Sequence, residues 1–425
     1  MFEKYDAYKD SGLESFPEIP KNWQLKKLKF LLDEVNIRSE TGDETLLSLS
    51  KYKGVIPKDS LDERAGSAST LVGYKKVFKH NLVINKMQAV NGLLAVSELE
   101  GITSPDYSVY SAKDNSVNIH YIAFLLNQPE YLAEMKKRVT GVMEGFIRLY
   151  TDDLYDIKAI LPSIKEQNCI VDFLQKKLVE IDQAIAIKEQ QIALLNERKQ
   201  IVIQKAVTQG LEPNVPMKNS GVEWIGQIPE YWEISANRTI FKERNEQGKE
   251  GLPLLSVSIH SGVSNEEISE EDNVRGRVKI EDKSKYILVK KGDIAFNMMR
   301  AWQGGIGAVS VDGMVSPAYI VAKPNDLINS EFFEYQYRCP EFIQQMDRYS
   351  KGITDFRKRL YWDGFKQLVT VVPPLEEQLK IVEQIKAIEQ QTNFAIQIKN
   401  QQIEKLKEYK TILINDAVTG KIKVA

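Results

Sequence analysis

The sequence SIKEQNCIVDFLQKKLVEIDQAIAIKEQQIALLNERKQIVIQKAVTQG, residues 163–210, carries apolar side chains at alternating four- and three-residue steps. This spacing is typical of a coiled-coil seam, and only Lys188 and Lys199 interrupt it. A single stripe of this kind also fits ordinary core packing or a homodimer. The predicted seam residues are Leu174, Leu178, Ile181, Ile185, Ile192, Leu195, Val202 and Ala206.

Both ends of this predicted helix carry terminal signals. Ser163 and Glu166 have the spacing of a capping box, and Gly210 stands where a left-handed C-terminal cap is expected. At roughly 1.5 Å per residue, about 45 helical residues form a rod on the order of 65 Å long. Since an isolated helix of this kind exposes its apolar stripe, we expect a partner stripe.

A second copy of the helix, PPLEEQLKIVEQIKAIEQQTNFAIQIKNQQIEKLKEYKTILINDAVTGK, occupies residues 373–421. Its first residue, Pro373, corresponds to Pro162, just before the first helix, so the offset between the copies is 211 (373 minus 162). The copy is weaker near its start, where Glu389 and Thr392 replace Leu178 and Ile181. Two matched stripes in one chain favour an internal helix pair. Its predicted seam residues are Ile385, Ile396, Ile403, Leu406, Leu413 and Ala417.

The duplication extends through the rest of the chain, so we predict four segments: a domain over 1–162, a long helix over 163–210, a second domain over 211–372, and a second long helix with a tail over 373–425. Each domain alternates strand-like with helix-like runs, such as the helical run 121–139, and is therefore mixed α/β. An antiparallel helix pair relates the two domains by an approximate twofold axis. A pseudo-twofold protein with two similar heads suits a two-part target such as duplex DNA.

Composition limits the functional classes. A chain of 425 residues with 43% hydrophobic content suits two or more folded domains, and it has no apolar run long enough for a membrane span and no signal-like start, so we expect a cytoplasmic protein. Its 57 basic and 59 acidic residues leave a net charge of −2, so DNA binding would depend on local patches. Cys169 and Cys339 have no metal-ligand spacing and are expected to be buried small residues.

Three paired motifs connect the chain to a known family: GLESFPEIPKNW with GVEWIGQIPEYW, PSIKEQ with PPLEEQ, and AVTQG with AVTGK. Their duplicated order resembles the specificity subunit of Type I restriction-modification systems along nearly the whole length. The resemblance implies two target recognition domains, each recognising one half of a split DNA site, and helices that set the gap between the halves. It also implies methyltransferase subunits, two by expectation, and motor-endonuclease subunits as partners.

The sequence offers no catalytic centre. It lacks a GxxxxGK[ST] phosphate loop and the Asn/Asp-Pro-Pro-aromatic motif of amino-methyltransferases. His80, His120 and His260 are too scattered in sequence for a zinc site or a histidine-based triad, and Asp106 is replaced by Ala318 in the repeat. We therefore expect a non-catalytic subunit with neither a cofactor nor a metal.

Two equivalent loops carry the best candidates for base contacts. In Asn297–Gly305, Arg300 suits guanine and Gln303 suits adenine, whereas Asn85–Gly92 carries different side chains on the same pattern. Different side chains on one frame are what two different half-sites require, although solvated loops remain the alternative. Because Asn85 and Asn297 are identical, we expect them to shape the turns. The loop candidates are Lys86, Gln88, Asn91, Arg300, Trp302 and Gln303.

Basic pairs elsewhere are candidates for phosphate contacts, with a solvated charged face as the alternative. These candidates are Lys75, Lys76, Arg275, Arg277, Arg357 and Lys358. Arg148 and Arg359, each followed by Leu-Tyr, are equivalent and are candidates for anchoring the junction of domain and helix. Trp23 and Trp232 are expected to be core anchors at the domain entrances.

Two alternatives stay open from the sequence. The first is a specificity subunit that serves a fused methyltransferase-nuclease, and the second is a protein-binding scaffold with duplicated heads and no DNA role. Salt dependence separates the scaffold from a DNA-binding protein, since phosphate contacts make log affinity fall linearly with log salt. The sequence does not define the bases recognised, the spacer length, the strand order, the identity of the partners or the presence of a restriction subunit.

Overall fold

The computed structural model describes residues 2–51, 53–60, 70–141, 147–264, 285–352 and 357–424. They form two compact units. The first unit contains Met1–Lys188 and Asn400–Ala425, and the second contains Glu189–Lys399. Both units are mixed α/β, and both long helices pass from one unit to the other at the matched positions Lys188 and Lys399.

The described elements follow the repeat closely. In the first half they are β1 Tyr8–Leu13, β2 Phe16–Pro20, β3 Gln24–Lys27, β4 Leu32–Glu34, β5 Leu47–Ser50, β6 Gly54–Pro57, β7 Lys75–Val77, β8 Leu82–Asn85, β9 Leu94–Val96, β10 Gly101–Thr103, β11 Tyr107–Ala112, α1 Ile119–Leu126, α2 Pro129–Arg138, α3 Thr151–Tyr155, β12 Lys158–Leu161 and α4 Ile164–Gln209. In the second half they are β13 Met217–Asn219, β14 Gln227–Pro229, β15 Glu233–Ala236, α5 Asn237–Ile240, β16 Phe241–Glu243, β17 Ser256–Ser258, β18 Gly262–Ser264, β19 Ile287–Val289, β20 Ile294–Asn297, β21 Ile306–Ala308, β22 Gly313–Val315, β23 Tyr319–Pro324, α6 Ser330–Tyr337, α7 Pro340–Tyr349, α8 Trp362–Phe365, β24 Val369–Val372 and α9 Leu375–Val418.

A four-stranded antiparallel sheet organises each unit, with order β4-β11-β8-β9 in the first and β16-β23-β20-β21 in the second. Four two-stranded pairs repeat as well: β1-β2 with β13-β14, β3-β12 with β15-β24, β5-β6 with β17-β18, and β7-β10 with β19-β22. In β8, Leu82 and Ile84 join the main core while Val83 joins a smaller cluster on the other face. Both faces of this central strand are therefore buried.

The predicted helical run 121–139 is two helices rather than one. Helix α1 ends at Leu126, and α2 begins at Pro129, its first helical residue. A proline in a helix interior loses a backbone hydrogen bond and clashes with the preceding turn, whereas the first helical position accepts it. Helices α6 and α7 show the same break at Pro340.

The two long helices confirm the periodicity. Helix α4 spans 46 residues and α9 spans 44. At the start of α4, the N–H of Glu166 donates to Ser163 Oγ at 3.3 Å, and at its end Gly210 has φ +79°. The cap residues are therefore as predicted, although the Glu166 carboxylate accepts a hydrogen bond from the Trp23 indole. In the described part of the chain, no helix combines the length and the apolarity that a membrane span needs.

Every predicted seam residue is buried or half-buried along both helices. At the weak start of the second seam, Glu389 Oε2 accepts a hydrogen bond from the Tyr335 hydroxyl at 2.8 Å. Burial and this carboxylate raise the pKa of Tyr335, which keeps the phenol in its donating form. The carboxylate of Glu389, at a seam position, is thus hydrogen-bonded by a side chain of α6 instead of packing against an apolar residue.

The helix ends of the first unit converge on Trp23, which is fully buried. Its indole Nε1 donates to Glu166 Oε1 at 3.1 Å, and a Cβ on Gly420 would lie only 3.2 Å from the ring. The start of α4 therefore meets the end of α9. Further along, Lys410 Nζ lies 2.7 Å from Asp182 Oδ1, so the two helix segments in this unit run antiparallel.

The second unit repeats this junction around Trp232, which is also fully buried. Its Nε1 donates to Glu377 Oε2 at 3.0 Å, and a Cβ on Gly210 would lie 3.2 Å from its ring. The two tryptophans are core anchors, as the sequence predicted. Each ties the start of one long helix to the end of the other.

A glutamine after each of these glutamates joins the helix to its domain. Gln167 Oε1 accepts from the N–H of Asn118, the cap of α1, at 2.8 Å, and Gln378 Oε1 accepts from Asn329, the cap of α6, at 2.8 Å. Both glutamines are fully buried. The shared Glu-Gln pair is therefore a structural motif of the junction.

Candidate nucleic-acid interface

The loop after β8 is built on a short polar frame. Asn85 Oδ1 accepts from the backbone N–H groups of Met87 at 3.0 Å and Gln88 at 3.3 Å, which turns the chain out of the strand. A single 3-10 turn, Ala89–Asn91, follows, and Gly92 closes it with φ +79°. That backbone conformation suits glycine, so the loop is held by one asparagine at its start and one glycine at its end.

The loop after β20 has the same frame. Asn297 Oδ1 accepts from the N–H of Met299 at 2.9 Å, the 3-10 turn is Ala301–Gln303, and Gly304 has φ +89°. As the sequence indicated, the two asparagines shape the turns rather than offer free recognition groups. Between asparagine and glycine, four of the six positions differ between the units, and the other two carry the same methionine and alanine.

The differing side chains form a hydrogen-bonded pair in each loop. Asn91 Nδ2 donates to Gln88 Oε1 at 2.7 Å, and Arg300 Nη1 donates to Gln303 Oε1 at 2.7 Å. Gln88, Asn91 and Arg300 are exposed, whereas Gln303 is half-buried. The first loop thus presents two neutral amides, and the second presents a guanidinium whose orientation Gln303 fixes.

Trp302 is more constrained than a free base-stacking platform. Its Nε1 donates to the carbonyl of Met299 at 3.0 Å, and Lys358 Nζ lies 5.1 Å from the ring centroid. Lys358 also lies 2.7 Å from Asp347 Oδ1. The structure therefore brings together two residues that the sequence suggested separately, Trp302 and Lys358, and internal contacts hold both side chains in place.

A charged cluster surrounds the first loop. Lys75 is only 3% exposed, and its Nζ lies 3.2 Å from Glu34 Oε1. The suggestion that Lys75 contacts phosphate is therefore wrong, because its charge is buried and paired. Lys86 is half-buried nearby; burial, then the Lys75 charge, lowers its pKa, while Glu34 and Asp106 act in the opposite direction.

The other basic candidates have different surroundings. Lys76 Nζ lies 3.2 Å from Glu44 Oε1, and both side chains are partly exposed, so a phosphate would compete with this carboxylate. Arg357 is exposed and has interactions of its own within the protein. Arg275 and Arg277 lie outside the described residues.

A second segment borders each loop, and sequence reasoning did not place it there. The N–H of Leu149 donates to the carbonyl of Lys86 at 3.0 Å. The N–H of Leu360 donates to the carbonyl of Met298 at 2.9 Å. The equivalent Arg-Leu-Tyr motifs are therefore tied to the candidate loops themselves. The repetition of the Arg-Leu-Tyr motif in both halves of the sequence was the signal that could have placed this segment beside the loops.

The arginines of these motifs differ in their partners. Arg148 Nη2 lies 3.5 Å from Asp106 Oδ1, whereas the position equivalent to Asp106 in the second unit is Ala318. Arg359 Nη1 instead donates to the carbonyl of Lys358 at 2.9 Å. The first interface consequently contains a carboxylate that offsets its positive charge.

The histidines are not all scattered. His80 and His120 have ring centroids 6.0 Å apart and lie in the first unit, whereas His260 lies in the second. Their proximity comes from tertiary contacts between distant segments, which the sequence spacing did not indicate.

Comparison with known proteins accounts for the duplicated architecture. Residues 221–408 match the family described as the Type I restriction modification DNA specificity domain. The putative type I restriction enzyme MjaX specificity subunit of Methanocaldococcus jannaschii is 24% identical over 100% of this chain and 98% of that protein. Residues 221–408 thus match the specificity domain of these systems, and the similarity over the full chain is to specificity subunits. The MjaVIII specificity subunit of the same organism is 24% identical over 76% of this chain and 75% of that protein.

Two solved structures have the same fold as this chain. The HsdS subunit from Thermoanaerobacter tengcongensis aligns with a TM-score of 0.56 at 13% identity, over 95% of this chain and 98% of that chain. A chain from a study of complex assembly and conformational transition of the type I R-M system aligns with a TM-score of 0.65 at 13% identity, over 95% and 99%. The mixed α/β domains with two long helices are therefore shared with these solved structures.

Proposed function

We propose that this chain is a specificity subunit, which recognises a two-part DNA site with one domain for each half and directs adenine methylation and restriction by partner subunits without being a catalyst itself. The observation that carries the proposal is the shared loop frame. Asn85 and Asn297 start the same turn, and Gly92 and Gly304 end it, while four of the six side chains between them differ. A fixed backbone with variable side chains suits two unlike half-sites.

The chemistry of each loop supports a different preference. Arg300, exposed and oriented by Gln303, is suited to a bidentate contact with the O6 and N7 atoms of guanine. Gln88 and Asn91 carry amides, which pair with the N6 and N7 atoms of adenine. Lys86, within the first loop, and Arg148, beside it, are suited to phosphate contacts that set register without specifying sequence.

The long helices are proposed to set the gap between half-sites and to bind the partners. Outside the seam they expose apolar residues at matched positions: Ile187 with Ile398, at 52% and 37%, and Ile201 with Ile412, at 44% and 48%. Duplicated apolar positions suit two copies of one partner. We propose two methyltransferase subunits there, with endonuclease subunits joining the same complex.

The test is to co-express the chain with the methyltransferase encoded beside it and to map modified adenines by single-molecule sequencing. We expect a two-part motif with a fixed gap. Arg300→Ala with Gln303→Ala should change one half only, and the matched control Gln88→Ala with Asn91→Ala should change the other half only. A continuous motif, or both halves changing together in either variant, would contradict one domain per half-site.

A further inference from the structure

A histidine-carboxylate cluster in the first unit lies outside the proposed interface. His80 Nδ1 lies 3.9 Å from Glu98 Oε1, and His120 Nε2 lies 3.5 Å from the same atom. One ligand atom of each residue lies within 4.8 Å of the others. His80 and Glu98 are exposed, with side-chain exposures of 58% and 59%, and His120 is half-buried at 25%, so the cluster opens to solvent.

Three separate segments supply these side chains. His80 occupies the turn before β8, where its N–H donates to the carbonyl of Ser97 at 2.7 Å. Glu98 follows β9, the neighbour of β8 in the sheet. His120 lies in the first turn of α1, where its N–H donates to Asn118 Oδ1 at 2.9 Å. Sheet pairing and the helix cap thus fix the backbone of all three segments.

We propose that His80, Glu98 and His120 bind a divalent transition metal of the zinc class, with solvent completing the coordination. Two imidazoles and one carboxylate are a common three-ligand set for Zn²⁺. Bonds of about 2.0–2.2 Å in tetrahedral geometry place ligand atoms roughly 3.3–3.5 Å apart. The contacts of 3.5 and 3.9 Å to Glu98 need only a small contraction through side-chain rotation.

The backbone at His80 supports a selected role for its imidazole. In the described residues, His80 is the only non-glycine residue with positive φ, at +66°. The equivalent position in the second unit is Gly292, with φ +89°. Histidine is less favourable than glycine in this conformation, so its presence at this position is consistent with a function of the side chain.

The second unit provides an internal comparison. By the alignment of β9 with β21 and of α1 with α6, Glu98 and His120 correspond to Ser310 and Glu331. In the second unit, Gly292 and Glu331 therefore stand where the first unit has its two histidines. The proposed metal site belongs to the first unit alone. The candidate DNA loop leaves the other end of β8, so the metal would join three segments of the first unit away from the base-contacting loop.

The test uses the full chain, freed of any histidine tag and stripped of metal with a chelator. Zn²⁺ is titrated in competition with a colour-changing chelator, and melting is followed with and without Zn²⁺. We expect one tight site in the wild type and a Zn²⁺-dependent rise in Tm. His80→Gly, which keeps the backbone suited to its turn, and His120→Ala should each weaken binding by more than about 100-fold, the upper end for loss of an outer-shell partner.

Two matched controls separate this site from other ligands. His260→Ala and Cys169→Ser should bind Zn²⁺ as the wild type does and keep the Tm rise. Wild-type affinity in the His80→Gly variant, or no wild-type binding at micromolar Zn²⁺, would overturn the proposal. Loss of binding in the Cys169→Ser variant alone would assign the metal elsewhere and would also overturn it. None of these outcomes depends on DNA recognition.

Discussion

The two candidate loops share a backbone but have unlike surroundings. Around the first loop, Lys86 is flanked by Glu34, Asp106 and Arg148, so charges of both signs meet there. At the position of Lys86 the second unit has Met298, and Ala318 stands in place of Asp106. The difference shows that the frame is independent of its charged neighbours, so duplicated domains can acquire new specificities while each loop keeps its asparagine and glycine.

The helix junctions show the opposite behaviour. Trp23 and Trp232 are both fully buried, and each donates to a glutamate in the first turn of a long helix, at 3.1 and 3.0 Å. Here the residues are the same in both units because geometry, and not a ligand, selects them. The molecule therefore combines an invariant scaffold with variable loops.

The largest effect is expected from shortening the scaffold. Deleting residues 186–192 from α4 and the matched residues 397–403 from α9 removes one heptad from each helix, which keeps the seam in frame. The preferred gap between half-sites should shrink by roughly 10 Å, or about three base pairs. Methylome mapping measures the gap directly. An unchanged spacer in a soluble, active complex would show that the helices do not set it.

The next effect tests whether the two junctions are equivalent. Trp23→Ala and Trp232→Ala should each cost about 3–5 kcal/mol, because each removes a buried indole and one of the hydrogen bonds to the junction glutamate. Since the chain has two units, amide hydrogen exchange resolved by unit is a better measure than one global Tm.

We expect faster exchange in the first unit for Trp23→Ala and in the second for Trp232→Ala. Trp302→Ala, which removes a half-buried indole from a loop, is the control and should have a much smaller effect. Equal loss of protection in both units from a single variant would mean that the junctions do not stabilise their units separately.

Much of this scaffold was predictable because it depends on local or repeated patterns. The periodicity predicted α4 and α9, Ser163 and Gly210 marked the ends of α4, and the repeated Asn85 predicted the turn. Strand order was not predictable, since the pairing in β4-β11-β8-β9 joins segments far apart in the chain.

The candidate site was only partly predictable for the same reason. Gln88 and Arg300 stay predictions as DNA contacts, but their positions in the loops could be inferred because loop position and side-chain type are local properties. Lys75 was assigned wrongly, since it is buried and its charge is paired with Glu34, which is distant in the sequence. The approach of His80 to His120 likewise depends on how a turn and a helix cap pack together.

A moderate effect on the salt dependence of DNA binding is expected when one residue of the second interface is placed in the first. Lys86→Met installs the residue found at the equivalent position of the second unit and removes a positive charge beside the loop. The slope of log affinity against log salt for the DNA complex should decrease in magnitude by about 0.9, the value for one phosphate contact. Lys9→Met, which removes an exposed charge on β1, should leave the slope unchanged. An unchanged slope for Lys86→Met would exclude this lysine from phosphate binding.

The smallest effect concerns an ion pair that only one unit possesses. In the first unit, Lys410 Nζ lies 2.7 Å from Asp182 Oδ1, with side-chain exposures of 32% and 58%. The equivalent residues in the second unit are Lys199 and Asn393, which lack the opposing charge. Because solvent screens such a pair, Lys410→Ala should destabilise the first unit by only about 0.2–1 kcal/mol, an effect that decreases with added salt.

Lys199→Ala is the matched control, since it shortens an equivalent side chain that faces no carboxylate at the corresponding position. It should show no salt-dependent change in the stability of the second unit. Chemical denaturation at low and high salt, with hydrogen exchange to assign each unit, measures both variants. If the two variants lost equal stability at every salt concentration, the lysines would act through the packing of their aliphatic chains along the seam, and the charge difference between the units would have no role in holding the helices together.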